Sequence, residues 1–117
     1  MIFTSTENQK DLPRYFKSVF KIAQSLETGR LDIKLDDGRV FRTVGNQAGP
    51  AAIIEIHNSD CFARLIREGD LGFSDAYLEG WWSTPDLQVF MDLILDRNDG
   101  IFDGFPGAGL VRAFEKM

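Results

Sequence analysis

The chain has 117 residues, 44% of them hydrophobic, and a net charge of −5; this fits one packed domain and argues against a nucleic-acid partner, which calls for a basic footprint. Its single cysteine, Cys61, excludes an internal disulfide and suits a cytosolic setting. No run of about 18 apolar residues offers a membrane-spanning helix, and the first residues lack the basic-then-apolar layout of a signal peptide.

The charge is uneven. Up to Gly45 there are 8 basic and 6 acidic residues, and from Asn46 onward 5 basic and 12 acidic, so the front is mildly cationic and the remainder strongly anionic. Met1 to Gln9 is polar and reads as a frayed start. A helix is expected from about Asp11 to Leu26, with Pro13 in its first turn and Gly29 after its end. Leu12, Phe16, Val19, Ala23 and Leu26 recur at helical spacing. Lys10, Arg14, Lys17 and Lys21 fall in a narrow arc on the other side, giving a basic amphipathic helix suited to an anionic membrane surface.

Leu31, Ile33 and Leu35 alternate with polar residues as in a half-buried strand. Asp37-Gly38 reads as a two-residue hairpin loop into a partner strand, Arg39 to Val44, with Leu35 facing Val40 and Leu31 facing Val44. In that register Arg42 interrupts the apolar face opposite Ile33. Gly45 to Pro50 reads as a loop and Ala51 to His57 as a third strand, with Ala52, Ile54 and Ile56 on one face. Asn58, Ser59 or Asp60 can cap a short helix from Cys61 to Glu68 that stops at Gly69, and a second short segment runs from Ser74 to Glu79. Thr84-Pro85-Asp86 is a helix start, with Thr84 as the capping hydroxyl. Leu87, Phe90, Met91, Ile94 and Leu95 follow on one face, and Val89 and Leu93 lie off it, so this helix is expected to touch protein on two sides. Gly100 to Gly109 is glycine-rich, and Leu110 to Lys116 could form a last short helix. The order of helix, strands, then helices predicts an α+β domain, with an antiparallel sheet and helices packed on one face.

From Phe62 to Trp82 the sequence carries the pattern Gly-x-Leu-Gly-x-x-x-x-Tyr-x-x-Gly-x-Trp on Gly69, Leu71, Gly72, Tyr77, Gly80 and Trp82. This segment, continued through Pro85-Asp86-Leu87 to about Leu95, resembles the N-terminal region of cyclopropane-fatty-acyl-phospholipid synthases (mycolic acid cyclopropane synthase-like proteins). The resemblance implies a sterol-carrier-like fold. It also implies a parent enzyme that transfers a methylene equivalent from S-adenosylmethionine to an acyl-chain double bond of a membrane phospholipid. The methyltransferase domain of such proteins lies after this region. Residues 1–117 are therefore expected to be one lipid-facing accessory domain, with no catalytic, cofactor-binding or metal-binding residue. Gly104, Gly107 and Gly109 follow no apolar strand, so S-adenosylmethionine is expected only in a catalytic domain outside this chain.

On this reading Arg14, Lys17 and Lys21 contact lipid headgroups, and Trp81, Phe102 and Phe105 contact an acyl chain or a neighbouring domain. The expected partners are membrane phospholipid or fatty acid and a C-terminal methyltransferase domain, with a homodimer as a further partner and no nucleic acid. The expected location is the cytoplasm, peripheral on the inner membrane face. A stand-alone sterol-carrier-like fatty-acid-binding protein is the alternative, and a protein-interaction domain using the Phe-rich tail is a third. Asp75 and Glu79, four residues apart, read as a surface pair rather than an acid/base couple. His57 has no metal-ligand companions at the right spacing, and Cys61 reads as inert.

Overall fold

The computed structural model describes residues 2–98, 100 and 101. In chain order the elements are β1 (Ile2–Phe3), α1 (Phe16–Ala23), β2 (Thr28–Lys34), β3 (Val40–Val44), β4 (Gln47–Ile56), α2 (Cys61–Leu78), β5 (Trp82–Ser83) and α3 (Leu87–Met91), which continues into a π-helical turn, Asp92–Asp96. The α+β class is as expected. The strands form one sheet in the order β1-β3-β2-β4-β5. β2 and β3 are antiparallel, as are β4 and β5, whereas β2 and β4 run parallel, as do β1 and β3. The sheet is therefore mixed rather than antiparallel throughout.

The parallel pair arises because the chain leaves β3 on one side of β2 and re-enters the sheet on the other. It crosses the start of β2 in two residues, Gly45 and Asn46. The Gly45 amide donates to the Gly29 carbonyl at 2.8 Å and the Gln47 amide to the Glu27 carbonyl at 3.0 Å. A Cβ on Gly45 would stand 2.3 Å from the Glu27 carbonyl group, so only glycine permits this backbone-on-backbone crossing. The expected loop from Gly45 to Pro50 thus shrinks to the crossing itself, and β4 begins at Gln47.

The hairpin forms one register away from expectation. Ile33 faces Phe41, Leu31 faces Thr43, Asp32 faces Arg42 and Lys34 faces Val40. The loop holds three residues, Asp36 to Gly38, with Gly38 at φ 96° and the Leu35 amide bonded to the Arg39 carbonyl at 2.8 Å. A three-residue loop with glycine in the left-handed position is the next commonest hairpin closure after the two-residue one. Because side chains alternate, the one-residue shift exchanges the faces of β3. Phe41 becomes fully buried and Val44 is 63% exposed. Arg42 interrupts nothing: it lies on the outer face, where its Nε and Nη2 donate to Asp32 at 2.8 and 3.0 Å.

The segment before α1 also departs from expectation. Ile2 and Phe3 are not frayed but pair with Val40 and Phe41, and the Phe3 ring lies 5.4 Å from that of Phe41. The helix begins only at Phe16. Asp11 and Tyr15 have left-handed φ of 55° and 69°, and the Arg39 guanidinium donates to the Lys10 and Asp11 carbonyls at 2.7 and 3.0 Å. Tertiary hydrogen bonds from the hairpin thus replace the first expected helical turns.

α2 joins the two expected short helices through a kink. Gly69 sits at φ 68°, ψ −146°, a backbone region open essentially to glycine alone, and the helix resumes at Asp70. Arg64 bridges the kink. It pairs with Glu68 before it, and with Asp75 and Glu79 after it, and its guanidinium lies 5.0 Å from the centre of the Trp81 ring. At α3 the N-cap is Asp86 rather than Thr84: its carboxylate accepts from the Val89 amide at 3.1 Å. The Thr84 hydroxyl donates instead to the Ile53 carbonyl at 2.7 Å.

The helices cover the sheet face that carries Leu31, Ile33, Phe41, Ala52, Ile54 and Ile56, all buried. Phe16 from α1 and Phe62 from α2 meet with ring centres 5.0 Å apart, and Phe16 lies 4.9 Å from Phe41. α3 and its π turn bury Phe90, Leu93 and Ile94, whereas Leu87, Met91 and Leu95 are exposed. This corrects the expected face, for two reasons. The π turn, closed by the Arg97 amide on the Asp92 carbonyl at 3.0 Å, breaks the 3.6-residue period. In addition, Asn98 Nδ2 holds the Leu93 carbonyl at 2.8 Å.

Candidate functional site

The helical layer and the sheet do not close completely. Between them lies a cavity of about 50 Å³. α1 contributes Val19, Ile22 and Ala23, the sheet Leu31, Ile33 and Ile54, α2 Phe62, Leu65 and Phe73, and the C-terminal part Phe90, Ile94 and Ile101. Every one of these side chains is apolar. Such a space does not hold water stably and favours hydrocarbon. At about 10–15 Å³ per water-sized group the volume admits roughly three to five such groups, room for the end of an alkyl chain and not for a whole acyl chain. Burying about three methylenes there would contribute roughly 2–3 kcal/mol. Ile22 and Ile101 are half-buried and the remaining lining residues are buried.

The amphipathic sequence of α1 gives it two roles. Its inner side supplies the pocket wall, and its outer side presents Lys17 and Lys21, both exposed. Arg14 is exposed too, but precedes the helix; its guanidinium lies 5.0 Å from the centre of the Tyr15 ring. Lys10 lies in the segment held by Arg39. The four-cation helical arc expected from the sequence is thus two cations on the helix and two in the irregular segment before it. Arg14, Tyr15, Lys17 and Ser18 line a surface cleft together with Gln9, Asp11, Leu12 and Pro13.

The signature residues form a corner. Gly69 makes the kink, and a Cβ on Gly72 would meet the Glu68 Cβ at 2.6 Å. Gly80, at φ 80°, ends α2 with its amide on the Tyr77 carbonyl at 3.0 Å, a left-handed helix stop. The chain then turns so that Trp82 stacks on Phe73 at 4.3 Å and donates from Nε1 to the Phe73 carbonyl at 2.8 Å. Tyr77 leans on Trp82 at 4.8 Å. Phe73, one ring of this corner, also lines the pocket. Leu71 is different: it is 56% exposed. Trp81 lies beneath the Arg64 guanidinium and is not among the pocket-lining residues. Phe102 and Phe105 lie outside the described residues.

The remaining titratable groups are placed as follows. Asp75 and Glu79 are both engaged by Arg64. His57 Nε2 and the Ser83 hydroxyl are 2.7 Å apart on the exposed end of the sheet. Among the described residues no group of three or more His, Cys, Asp or Glu side chains could hold a metal ion, and no helix is long and apolar enough to cross a membrane. Cys61 is fully buried, and burial, helped by the charge of Asp60, pushes its thiol up to about 12. Such a thiol is no nucleophile at neutral pH. Cys61 should therefore resist a thiol reagent at pH 8 in the folded protein and react at once in urea. Its linkage to stability has a definite sign. Between about pH 9 and pH 12 the unfolded chain releases this proton while the folded chain retains it, so stability falls as pH rises through that window and is unaffected by Cys61 below it. Alkaline unfolding curves of the Cys61→Ala variant should lack that limb.

Asn98 and the Asp32–Arg42 pair escape a sequence reading. Asn98 stands in Arg-Asn-Asp-Gly, which reads as an ordinary turn. Asp32 looks like the polar member of an alternating strand, and nothing local marks its partner.

No family model matches the chain, and no solved structure matches it. Two curated proteins do. The cyclopropane-fatty-acyl-phospholipid synthases of Escherichia coli strain K12 and of Escherichia coli O6:H1 strain CFT073 are each 38% identical to it over 50 residues. That stretch is 43% of this chain and spans 13% of the length of each of these relatives. The match supports a relationship between this chain and that family of synthases.

Proposed function

We propose that this chain is a lipid-facing accessory module of a cyclopropane-fatty-acyl-phospholipid synthase-like protein, and that it helps present membrane acyl chains to a methyltransferase domain elsewhere in that protein. The observation that carries the reading is α1, one helix that walls an all-apolar pocket on its inner side and offers Lys17 and Lys21 on its outer side. A phospholipid has the matching layout, an apolar tail next to an anionic phosphate. Each Lys or Arg near an anionic surface contributes about 1 kcal/mol, so Arg14, Lys17 and Lys21 together supply weak attraction that a few buried methylenes reinforce. Association of this kind would be peripheral, on the cytoplasmic face.

S-adenosylmethionine, which the family's reaction requires, does not fit the described residues. A nucleotide-type cofactor site of that kind uses a glycine-rich turn between a strand and a helix. The connections that lead here from strand to helix, residues 4–15, 57–60 and 84–86, contain no glycine. We place the methyl-transfer chemistry in a domain elsewhere in the protein and assign no chemical step to the described residues. A stand-alone carrier that encloses a whole fatty acid is less well supported, because a cavity of about 50 Å³ holds only a chain end.

Sedimentation with phosphatidylglycerol vesicles tests the headgroup part, and a fluorescent fatty acid tests the pocket. Reversing charge at Arg14, Lys17 and Lys21 should weaken vesicle binding at least about tenfold and leave fatty-acid binding in place. Ala23→Leu, which fills the pocket, and Ile22→Asn, which makes its half-buried lip polar, should each reduce fatty-acid binding and leave the electrostatic part of vesicle binding in place. Unchanged behaviour in both assays would remove the lipid reading. A lipid co-purifying in native mass spectrometry, with its whole chain protected, would favour the carrier.

A further inference from the structure

α3 and its π turn carry a second apolar face that the described residues leave exposed. Phe90, Leu93 and Ile94 satisfy its inner side. Leu87, Met91 and Leu95, spaced four residues apart, point the other way and are 38%, 43% and 47% exposed. Met91 and Leu95, with the half-buried Val89, floor a groove of about 450 Å³. Its rim is acidic: Asp86, Asp92 and Asp96 all line it. Among the described residues Arg97 is the cation that approaches this rim, 3.8 Å from Asp92, and it leaves the local charge negative.

We propose that this groove is a docking surface for a cationic amphipathic helix of a protein partner. Apolar side chains at four-residue spacing on one helix fit an equivalent stripe on another, and the methionine can adapt its shape to the incoming side chains. Three carboxylates around an apolar floor select lysine or arginine on the flanks of that helix, through complementary charge that steers association and fixes register. The same carboxylates disfavour an anionic bilayer as the occupant. The groove is on the side of the helix opposite Phe90 and Ile94, which face the lipid pocket, so the inference stands or falls independently of the lipid reading. It also gives the acidic bias of the sequence after Asn46 a role that lipid contact does not.

The test uses the whole chain and a fluorescein-labelled synthetic peptide that is helical, with leucines at four-residue spacing flanked by lysines. Anisotropy should show saturable, salt-sensitive binding, with amide shifts confined to the residues about 86–96. Met91→Ser with Leu95→Ser, and separately Asp92→Asn with Asp96→Asn, should each weaken binding about tenfold or more. All four side chains are on the surface, so thermal melts should show these variants folded. The same peptide with glutamates in place of lysines should not bind. The proposal is overturned if the lysine peptide fails to bind, if both variants bind it as the parent chain does, or if the shifts map elsewhere. A self-association lost in the Met91→Ser chain would assign the groove to a second copy. Met91-dependent insertion into phosphatidylcholine vesicles would assign it to lipid. Either result overturns the protein-helix reading.

Discussion

Gly29→Ala will destabilise the chain by about 3 kcal/mol or more, and the variant will melt more than about 10 °C below the parent. Two independent costs act at this position. Gly29 has φ 80°, where an alanine pays about 1 kcal/mol for left-handed geometry. A Cβ there would also stand 2.3 Å from the Pro50 carbonyl oxygen and 2.6 Å from Leu93 Cδ1. Leu93 can move, but the Pro50 oxygen is backbone of the neighbouring strand. Relief requires β2 and β4 to separate at the irregular step in their pairing between Thr28 and Arg30. Leu93, fully buried in the parent, would have to leave its present position. Urea unfolding of the purified variant measures the effect. A loss below about 1 kcal/mol would mean that the sheet yields at this point at little cost, and that the close approach of the strands is not a constraint.

Asn98→Ala should cost a comparable amount, about 3 kcal/mol, by a different mechanism. The Asn98 side chain is buried and makes four hydrogen bonds. Its Oδ1 accepts from the Glu27 amide at 2.9 Å and the Thr28 amide at 3.1 Å, and its Nδ2 donates to the Thr28 carbonyl at 2.9 Å and the Leu93 carbonyl at 2.8 Å. Truncation leaves up to four backbone groups unpaired in a low-dielectric setting, each costing about 1–3 kcal/mol unless water reaches it. Water can enter from the surface hollow that Ser25, Glu27 and Arg97 share with Asn98, which keeps the sum below the additive limit. Hydrogen exchange gives a sharper reading than a melt alone. The Glu27 and Thr28 amides should exchange much faster in the variant, while the amides between β3 and β2 keep their protection relative to global stability. Should Asn98→Ala melt with the parent, the tie between the last helix and the start of β2 would not be holding the helix in place.

The two positions meet at one locus. Gly29 makes room for Leu93, and Asn98 holds the Leu93 carbonyl, so the double variant should be less destabilised than the sum of the singles. Leu93 lies on the helix that supplies Phe90 and Ile94 to the apolar pocket. Damage at this tie should therefore also loosen the fatty-acid binding proposed for that pocket, although neither Gly29 nor Asn98 lines the cavity.

Much was legible in the residues alone, because periodicity reports burial directly. The alternation of Ala52, Ile54 and Ile56 located the inner face of β4, and Phe16, Val19 and Ala23 located the inner face of α1. The glycines and aromatics of the Gly69–Trp82 segment marked a corner whose geometry needs them, and the 38% identity with two synthases over a 50-residue stretch agrees with the family resemblance. What the sequence left open was decided by contacts between distant residues. A three-residue hairpin loop competes with a two-residue one by little in local energy; burying Phe41 against Phe16 and pairing Arg42 with Asp32 settles the register. The parallel alignment of β2 with β4 depends on a crossing that only the clearance at Gly45 reveals. α1 starts late because Arg39, far along the chain, binds the Lys10 and Asp11 carbonyls. The outward face of α3 follows from the π turn after it and from Asn98 reaching the start of β2. Local sequence encodes which side of an element is apolar, because that depends on spacing within the element; where elements meet, and which polar groups they satisfy in each other, is set by long-range packing that no window of sequence contains.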